Sequence, residues 1–185
     1  MSLTHVIGHI YVHTCLQCRI PITLFVSPCL TYIQSITATD QALRAELTRD
    51  EGYRTDIYID TEGHATVGIG HLIVSGDTEH GKSEGTKVTD ERVQELFTQD
   101  LNIALDDCRT VFPNFGSLPQ EGQRVLANMM FNLGRPRFIK FAKCIAAVKD
   151  SKWDKAADEM VDSRWYRQVK GRAQRLEERM RSLAK

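Results

Sequence analysis

Residues 50–72 read DEGYRTDIYIDTEGHATVGIGHL and contain two short alternating runs separated by a turn. Polar and apolar side chains alternate over residues 56–60 and again over residues 65–69. Between these two runs lies the segment 61–63, whose residues Thr, Glu and Gly favour a turn. Alternation on both sides of a short turn is typical of a β-hairpin, so the sequence predicts one here.

Two polar residues near the turn of this hairpin both have even numbers, whereas the apolar residues of the strands have odd numbers. In the usual register we expect Asp60 and Thr66 to face each other, on the side away from Ile57, Ile59, Val67 and Ile69. Gly68 and Gly70 carry no side chain on that same face and would leave room for a bulky ligand to approach the backbone. Relief of strand twist is the alternative explanation for these glycines.

A helix over residues 41–51 is predicted just before the hairpin, with Asp40 as its N-cap and Gly52 as its stop. Leucines repeat every four residues along this helix, and the next position on their face is Glu51. A carboxyl group on the apolar side of a helix end is partly desolvated, which favours its protonated form. A frayed, solvated helix end would give the same pattern, so the helix alone does not decide the role of Glu51.

Two carboxyl groups in different surroundings suit the hydrolysis of a glycoside. That reaction needs one acid to protonate the leaving oxygen and a second carboxylate to act as base or nucleophile. Glu51 fits the first role and Asp60 the second, while the hydroxyl of Thr66 is able to hold a water molecule. The segment lacks the spacing of a phosphate-binding loop, a calcium loop or a zinc protease, so we expect neither metal nor cofactor.

Four short segments resemble the lysozymes of T4-like phages, namely residues 50–52, 60–63, 66–72 and 163–166. The catalytic signature of that family, Glu-x8-Asp-x5-Thr, falls on Glu51, Asp60 and Thr66. The resemblance extends over about residues 41 to 181. It implies a two-lobed α+β fold, in which a small lobe with a β-hairpin or sheet is joined by a long helix to a larger all-helical lobe.

The resemblance also implies a reaction. The enzyme would cleave the β-1,4 bond between N-acetylmuramic acid and N-acetylglucosamine in bacterial peptidoglycan, with inversion at the reacting carbon. Glu51 would be the general acid, while Asp60 and Thr66 would position and activate the attacking water. Bacterial glycan strands are therefore the expected partner, and we expect the protein to act as a monomer.

Further positions match functional residues of the same family. By resemblance, Leu72 and Phe131 line the sugar-binding cleft, and Cys144 and Glu159 make further substrate contacts. Arg172 matches the arginine that pairs with the catalytic acid, a plausible role because a charge in a cleft needs a partner.

One carboxylate lies within the apolar stripe of a later helix, which is predicted to begin after Thr89. Asp100 falls three and four residues beyond two apolar positions of that stripe, and a buried charge without a partner is costly. We expect it to pair with His71 at the end of the hairpin, and the family resemblance supports this pair. The alternative is that both side chains reach water separately.

The sequence predicts further helices in the remaining part of the chain. Pro119 and Gly134 bracket one, and others are expected over residues 138–148, 153–161 and 172–183.

Composition limits the classes of partner. The chain of 185 residues has 24 basic and 24 acidic side chains, so net charge gives no reason to expect nucleic acid or an anionic membrane as partner. Any attraction to an acidic cell wall must be local. Three of the five cysteines fall within the first thirty residues, which is no disulfide framework.

The composition changes near residue 40. Residues 1–39 are expected to be a leader and residues 40–185 the lysozyme domain, because charged residues are rare in the first part and dense in the second. An apolar run over residues 20–33, interrupted by prolines, precedes small residues that suit signal peptidase, whereas a membrane-spanning helix needs about 20 apolar residues. A secretion signal and a disordered or mis-started leader both remain open, and a reversible membrane anchor is a third alternative. We expect a protein that is secreted or otherwise delivered to the cell wall, or a phage endolysin that stays cytoplasmic until lysis.

Two other classes of function remain open. The first is a catalytically silent peptidoglycan-binding module on the same fold, because a fold does not prove turnover. The second is a structural or partner-binding role for the leader. The presence of Glu51, Asp60 and Thr66 together favours the enzyme.

Overall fold

The computed structural model describes residues 35–185, so residues 1–34 of the predicted leader lie outside the described residues. The described part contains one helix, a three-stranded antiparallel sheet and then a series of helices. It is the α+β architecture that the resemblance implies. The elements are α1 Gln41–Glu51, β1 Arg54–Ile59, β2 Ala65–Gly68, β3 His71–Leu72, α2 Asp90–Val111, a 3-10 turn Phe115–Ser117, α3 Gln120–Leu133, α4 Arg135–Phe138, α5 Ala142–Lys149, α6 Trp153–Val161, α7 Arg164–Val169 and α8 Gly171–Ser182.

Helix α1 has the predicted limits. The carboxylate of Asp40 accepts a hydrogen bond from the backbone N–H of Leu43 at 2.8 Å, which satisfies a donor that the first turn leaves free. Gly52 ends the helix with a φ of 83°, a conformation that favours glycine. The helix therefore ends at Glu51, whose position at the C-terminal end is fixed by this geometry.

The sheet has three strands in the order β1-β2-β3, whereas the sequence predicted two. Tyr58 lies opposite Thr66 in the observed register, and Ile59 lies opposite Ala65. The prediction that Asp60 and Thr66 face each other is therefore wrong, because Asp60 already belongs to the turn beyond β1. Strand β3 adds a pair between Thr66 and Leu72 on the other edge of β2.

The predicted buried face of the hairpin is only partly buried. Ile57 and Val67 are fully covered, but Ile59 is 49% exposed. Helix α2 packs against β2 and β3, and Ile59 is the last residue of β1, next to the turn. The prediction that Gly68 leaves room for a ligand is also wrong, because a Cβ placed there would meet a methyl group of Val93 at 3.0 Å.

Helix α2 connects the sheet to the helical part of the chain. The hydroxyl of Thr89 accepts a hydrogen bond from the N–H of Arg92, which confirms the predicted start. The predicted apolar stripe is buried along the whole helix, and it comprises Val93, Leu96, Phe97, Leu101 and Ala104. This helix brings Asp100 close to the sheet.

The helical part is built around α3, which is buried on several faces and ends at Gly134 as predicted. Helix α6 has the predicted limits, and α8 differs from the prediction by one residue at each end. The single helix expected over residues 138–148 is wrong, because the chain turns after Phe138 and restarts at Ala142. Phe138 packs against Phe112 and Phe141, and this packing holds it in the core at the end of α4.

The core of the domain begins before residue 40. Ile36 and Ala38 are buried among the helices, although both fall within the predicted leader. The backbone N–H of Ile36 also donates to the side-chain oxygen of Gln123 at 2.8 Å. Among residues 35–185, no helix combines the length and hydropathy needed to cross a bilayer.

Candidate active site

Glu51 lies at the C-terminal end of α1 and contacts Arg172 near the start of α8. The Nη1 atom of Arg172 donates to the Oε1 atom of Glu51 at 2.6 Å. The Glu51 side chain is 21% exposed and that of Arg172 only 8% exposed, so the pair lies at the edge of the protein interior. The contact expected between these two residues is present, and a charge-assisted bond of this kind is stronger than a neutral one.

Gly70 packs close to the side chain of Glu51. A Cβ placed on Gly70 would lie 3.8 Å from both the Cβ and the Oε2 atoms of Glu51, so the end of α1 meets the turn between β2 and β3 here. Gly70 has a φ of 73°, which side chains rarely adopt. A larger residue at position 70 would therefore narrow the approach to Glu51.

Asp60 is bound by the backbone of its own turn. Its Oδ1 atom accepts hydrogen bonds from the N–H groups of Glu62 and His64, both at 2.8 Å. The hydrogen bond from the N–H of His64 is the largest influence on the pKa of Asp60; together with the bond from Glu62 it outweighs burial, so the pKa lies below its usual value. Asp60 is therefore ionised at neutral pH, with 32% of its side chain exposed to solvent.

Thr66 is connected to the same turn. Its hydroxyl donates to the carbonyl oxygen of His64 at 3.2 Å, so the backbone of His64 binds both Asp60 and Thr66. Across the sheet lies Tyr58, whose pKa is raised first by burial and then by the negative charges of Asp60 and Glu51. The turn at His64 therefore brings Asp60 and Thr66 together, and Tyr58 lies opposite Thr66 on the neighbouring strand.

A buried polar network supports Glu51, and most of its members were not predicted from the sequence. Asn128 of α3 binds Arg172 and also contacts Glu46 and Asp50 of α1. Arg175 and Arg179 of α8 complete the network through ion pairs with Asp50 and Glu46, respectively. These contacts join α1, α3 and α8, which are far apart in the sequence, so local patterns carried no signal for them.

His71 contacts two carboxylates rather than the single one that was expected. Its Nδ1 atom lies 2.8 Å from Asp100, and its Nε2 atom lies 3.2 Å from Asp77. Burial by itself lowers the pKa of His71, but the bonds and charges of Asp100 and Asp77 outweigh burial and raise it. For Asp77, burial is likewise outweighed by the N–H of Val74 and by His71, so the pKa of that carboxyl is lowered.

The four expected substrate contacts fall into two separate cavities. Leu72 and Phe131 line a cavity of about 390 Å³ between β3 and the helices α2 and α3. Cys144 and Glu159 line another of about 800 Å³ in the helical part. Neither cavity is lined by Glu51, Asp60 or Thr66.

Cys144 offers little surface to a sugar. It is only 3% exposed, and burial raises the pKa of its thiol to about 12, so the group is neutral and poorly accessible. Glu159 is half-buried and lines the same cavity. Within the described part of the chain, no three His, Cys, Asp or Glu side chains are grouped to hold a metal ion.

Comparison with known proteins gives one family and several relatives. The phage lysozyme family model matches residues 48–182. The pre-baseplate central spike protein Gp5 of Enterobacteria phage T4 is 34% identical over 148 residues, which is 70% of this chain and 26% of that protein. The probable T4-type lysozyme 2 of Dictyostelium discoideum is 29% identical over 154 residues, which is 73% of this chain and 91% of that protein. The peptidoglycan hydrolase gp36 of Pseudomonas phage phiKMV is 32% identical over 137 residues, which is 74% of this chain and 15% of that protein.

Proposed function

The chain belongs to the phage lysozyme family of enzymes, and from this premise we propose that it hydrolyses the glycan strands of bacterial peptidoglycan. The bond cleaved is the β-1,4 link from N-acetylmuramic acid to N-acetylglucosamine. The proposal implies that the protein meets its substrate in the cell wall, after secretion or, for a phage protein, after release at lysis.

Glu51 is the proton donor in this proposal. Its side chain is 21% exposed at the rim of the interior, and its carboxyl group lies next to Gly70, which has no side chain to hinder the approach of a glycosidic oxygen. When the proton is transferred, a negative charge develops on Glu51. Arg172, at 2.6 Å, stabilises that charge as the bond breaks, which lowers the barrier.

Asp60 and Thr66 handle the water in this proposal. Asp60 is kept ionised by the N–H groups of His64 and Glu62, so it is able to accept a proton from water. The hydroxyl of Thr66, bound to the same turn, orients that water. Direct attack by water gives a product of inverted configuration.

The observation that carries the proposal is the contrast between the two carboxyl groups. Glu51 is a half-buried side chain with a cationic partner, whereas Asp60 is bound by backbone N–H groups at the protein surface. Two carboxyl groups in such different surroundings are able to divide the roles of acid and base.

The products of digestion test this proposal. After digestion of purified peptidoglycan and reduction with borohydride, we expect the new chain ends to be reduced N-acetylmuramic acid. Proton NMR during digestion should first show the α-anomer, because inversion converts the β-link. Reduced N-acetylglucosamine ends would contradict the assignment of the bond, and an initial β-anomer would contradict inversion. A binding module without catalysis would release no new ends at all.

A further inference from the structure

Arg172 has more than one carboxylate within reach. Its Nη1 atom donates to Glu51, but its Nε atom lies 3.6 Å from the Oδ2 atom of Asp50. Glu51 and Asp50 are neighbours on α1, so they compete for the same guanidinium group. Arg172 must therefore be oriented toward Glu51 and away from Asp50 if Glu51 is to keep its cationic partner.

Asn128 stands between the two competitors. Its side-chain oxygen accepts from the Nε atom of Arg172 at 2.8 Å, and its carbonyl oxygen accepts from Nη2 at 3.2 Å. Its side-chain nitrogen donates to Glu46 at 3.0 Å and to Asp50 at 3.2 Å. Asn128 therefore binds Nε of Arg172 through its buried side-chain amide and Nη2 through its backbone carbonyl, and the same amide donates to two acidic side chains of α1.

Asn128 has a neutral side chain, whereas the acidic and basic side chains around it are all charged. The acidic members on α1 are Glu46, Asp50 and Glu51, and the basic members on α8 are Arg172, Arg175 and Arg179. Glu121 on α3 adds one more carboxylate, which pairs with Arg179. Because several acidic and basic side chains lie within reach of one another, the orientation of each donor group decides which ion pairs form.

We propose that Asn128 is a positioning residue that reserves Arg172 for Glu51. It holds Nε and Nη2 so that only Nη1 is free to reach the carboxyl group, and it supplies Asp50 with a donor in place of the arginine. The inference rests on the proposed role of Glu51 as general acid.

Loss of this amide should change the pairing. Arg172 Nε and Asp50 Oδ2 would both lose their bond to Asn128, and at 3.6 Å they are close enough to pair with each other. Glu51 would then lose its cationic partner. Glu46 and Asp50 would keep their bonds to Arg179 and Arg175, which supports the fold of the variant.

The consequence appears in the pH dependence of turnover. The charged or titratable groups that face Glu51 are Arg172 from α8, Asp50 from its own helix, and Tyr58 from β1. A carboxyl group that loses a cationic partner keeps its proton to higher pH. In Asn128→Leu we therefore expect the alkaline fall of kcat to move to higher pH by about one unit, while the maximal kcat decreases because Glu51 is held less firmly.

Gln123→Leu is the matched control. Gln123 is also a fully buried amide on α3, but it binds the backbone of Ile36 and Leu118 rather than Arg172. The Gln123→Leu variant should have a lower melting temperature, because a buried amide is lost, but its pH dependence of kcat should be that of the wild type. A shift of equal size in both variants, or in neither, would overturn the proposal.

A second pair of variants tests whether Asn128 acts through Arg172. Arg172→Gln should itself move the alkaline fall to higher pH, and adding Asn128→Leu should move it no further. A further shift of equal size in the double variant would show that Asn128 acts by another route. If Asn128→Leu does not fold, Asn128→Ala, which leaves space for water, is expected to give a shift in the same direction.

The NMR signal of the Glu51 carboxyl carbon gives a readout that needs no activity. Its titration midpoint should move to higher pH in the Asn128 variant and stay unchanged in the Gln123 variant. An inactive wild-type protein would refute the proposed function, and the NMR titration would still decide the role of Asn128. An unchanged midpoint in folded Asn128 variants would refute that role.

Discussion

His71 is held from both ring nitrogens by carboxylates of different segments, Asp77 before α2 and Asp100 within it. The raised pKa of His71 means that its ion pairs contribute stability below the unfolded value of 6.5, and that this stability is lost as pH rises through the folded value. The lowered pKa of Asp77 has the opposite dependence: its contribution is present above 3.8 and is lost as pH falls. The cluster is therefore most stabilising in mildly acidic solution.

We expect Asp100→Asn to cost about 1 kcal/mol near pH 5.5 and less near pH 9, where His71 is neutral. For a chain of this size that loss corresponds to about 2–4 °C in Tm. Asp106→Asn is a suitable control, because Asp106 lies on the same helix and pairs with Arg109 rather than with a histidine. Thermal melts at the two pH values give the answer, and an equal loss of Tm at both would mean that no ion pair with His71 exists.

At the scale of the elements, the sequence predicted those whose ends are marked by capping residues. Asp40, Thr89 and Gly134 bound helices that agree with the structure, because a cap acts within one turn of its own backbone. Strand β3 was missed because two residues show no alternation and form a strand only by pairing with β2. Helix α7 was missed as well, although its Ser163 cap is visible in the sequence.

The residues of the candidate site also fall into two groups, those that a local sequence pattern marks and those that only the packing of distant segments brings in. Glu51, Asp60 and Thr66 were identified from spacing and resemblance within one short segment. Asn128 and the second partner of His71, Asp77, depend on how distant segments pack, and no local pattern encodes such contacts. Even within the hairpin, alternation predicted burial correctly for Ile57 but not for Ile59, because exposure depends on which other elements cover a strand and not on the alternation itself.

The packing of the sheet on α2 can be tested at Gly68. Its φ of 71° costs an L-residue about 1–2 kcal/mol, and a new methyl group would also press on Val93 at 3.0 Å. Gly63→Ala is the control, because Gly63 has a similar φ of 87° and nothing within 4 Å of the added carbon. We expect Gly68→Ala to be less stable than Gly63→Ala by a further 1–3 kcal/mol or so, measured by urea unfolding.

A Val93→Ala background sharpens this comparison. Removing the valine methyl groups opens the space that the new Cβ of Gly68→Ala needs, so the difference between the two glycine variants should shrink. Equal stability of Gly68→Ala and Gly63→Ala in the wild-type background would mean that β2 does not rest on α2 as described.

At the scale of the whole molecule, a net charge of zero conceals a strong asymmetry along the chain. Residues 41–134 contain 16 acidic and 8 basic side chains, whereas residues 135–185 contain 15 basic and 7 acidic ones. Lys140 and Lys143 of the basic part line the cavity of about 800 Å³ and make no ion pair within residues 35–185. Any attraction to an acidic wall would therefore be local and would involve the basic part of the chain.

We expect the double variant Lys140→Glu/Lys143→Glu to raise KM for cell walls by about tenfold while leaving kcat nearly unchanged, because rim charges steer association rather than chemistry. The effect should weaken in high salt, which screens exposed charges. Lys82→Glu/Lys87→Glu makes the same change in charge within the acidic part and should have little effect on KM. Equal effects of the two double variants would contradict a local role for the basic part.

Glu51 donates the proton in the proposed reaction, so Glu51→Gln should remove that step. Glutamine keeps the shape of the side chain but has no acidic proton, so the rate at which reducing ends are released from purified peptidoglycan should fall at least about 100-fold. Glu62→Gln is the matched control, since Glu62 lies in the exposed turn and only its backbone N–H contacts the site. We expect the control to stay near wild-type activity. A folded Glu51→Gln variant within a few-fold of the wild-type rate would contradict the role of Glu51 as the general acid.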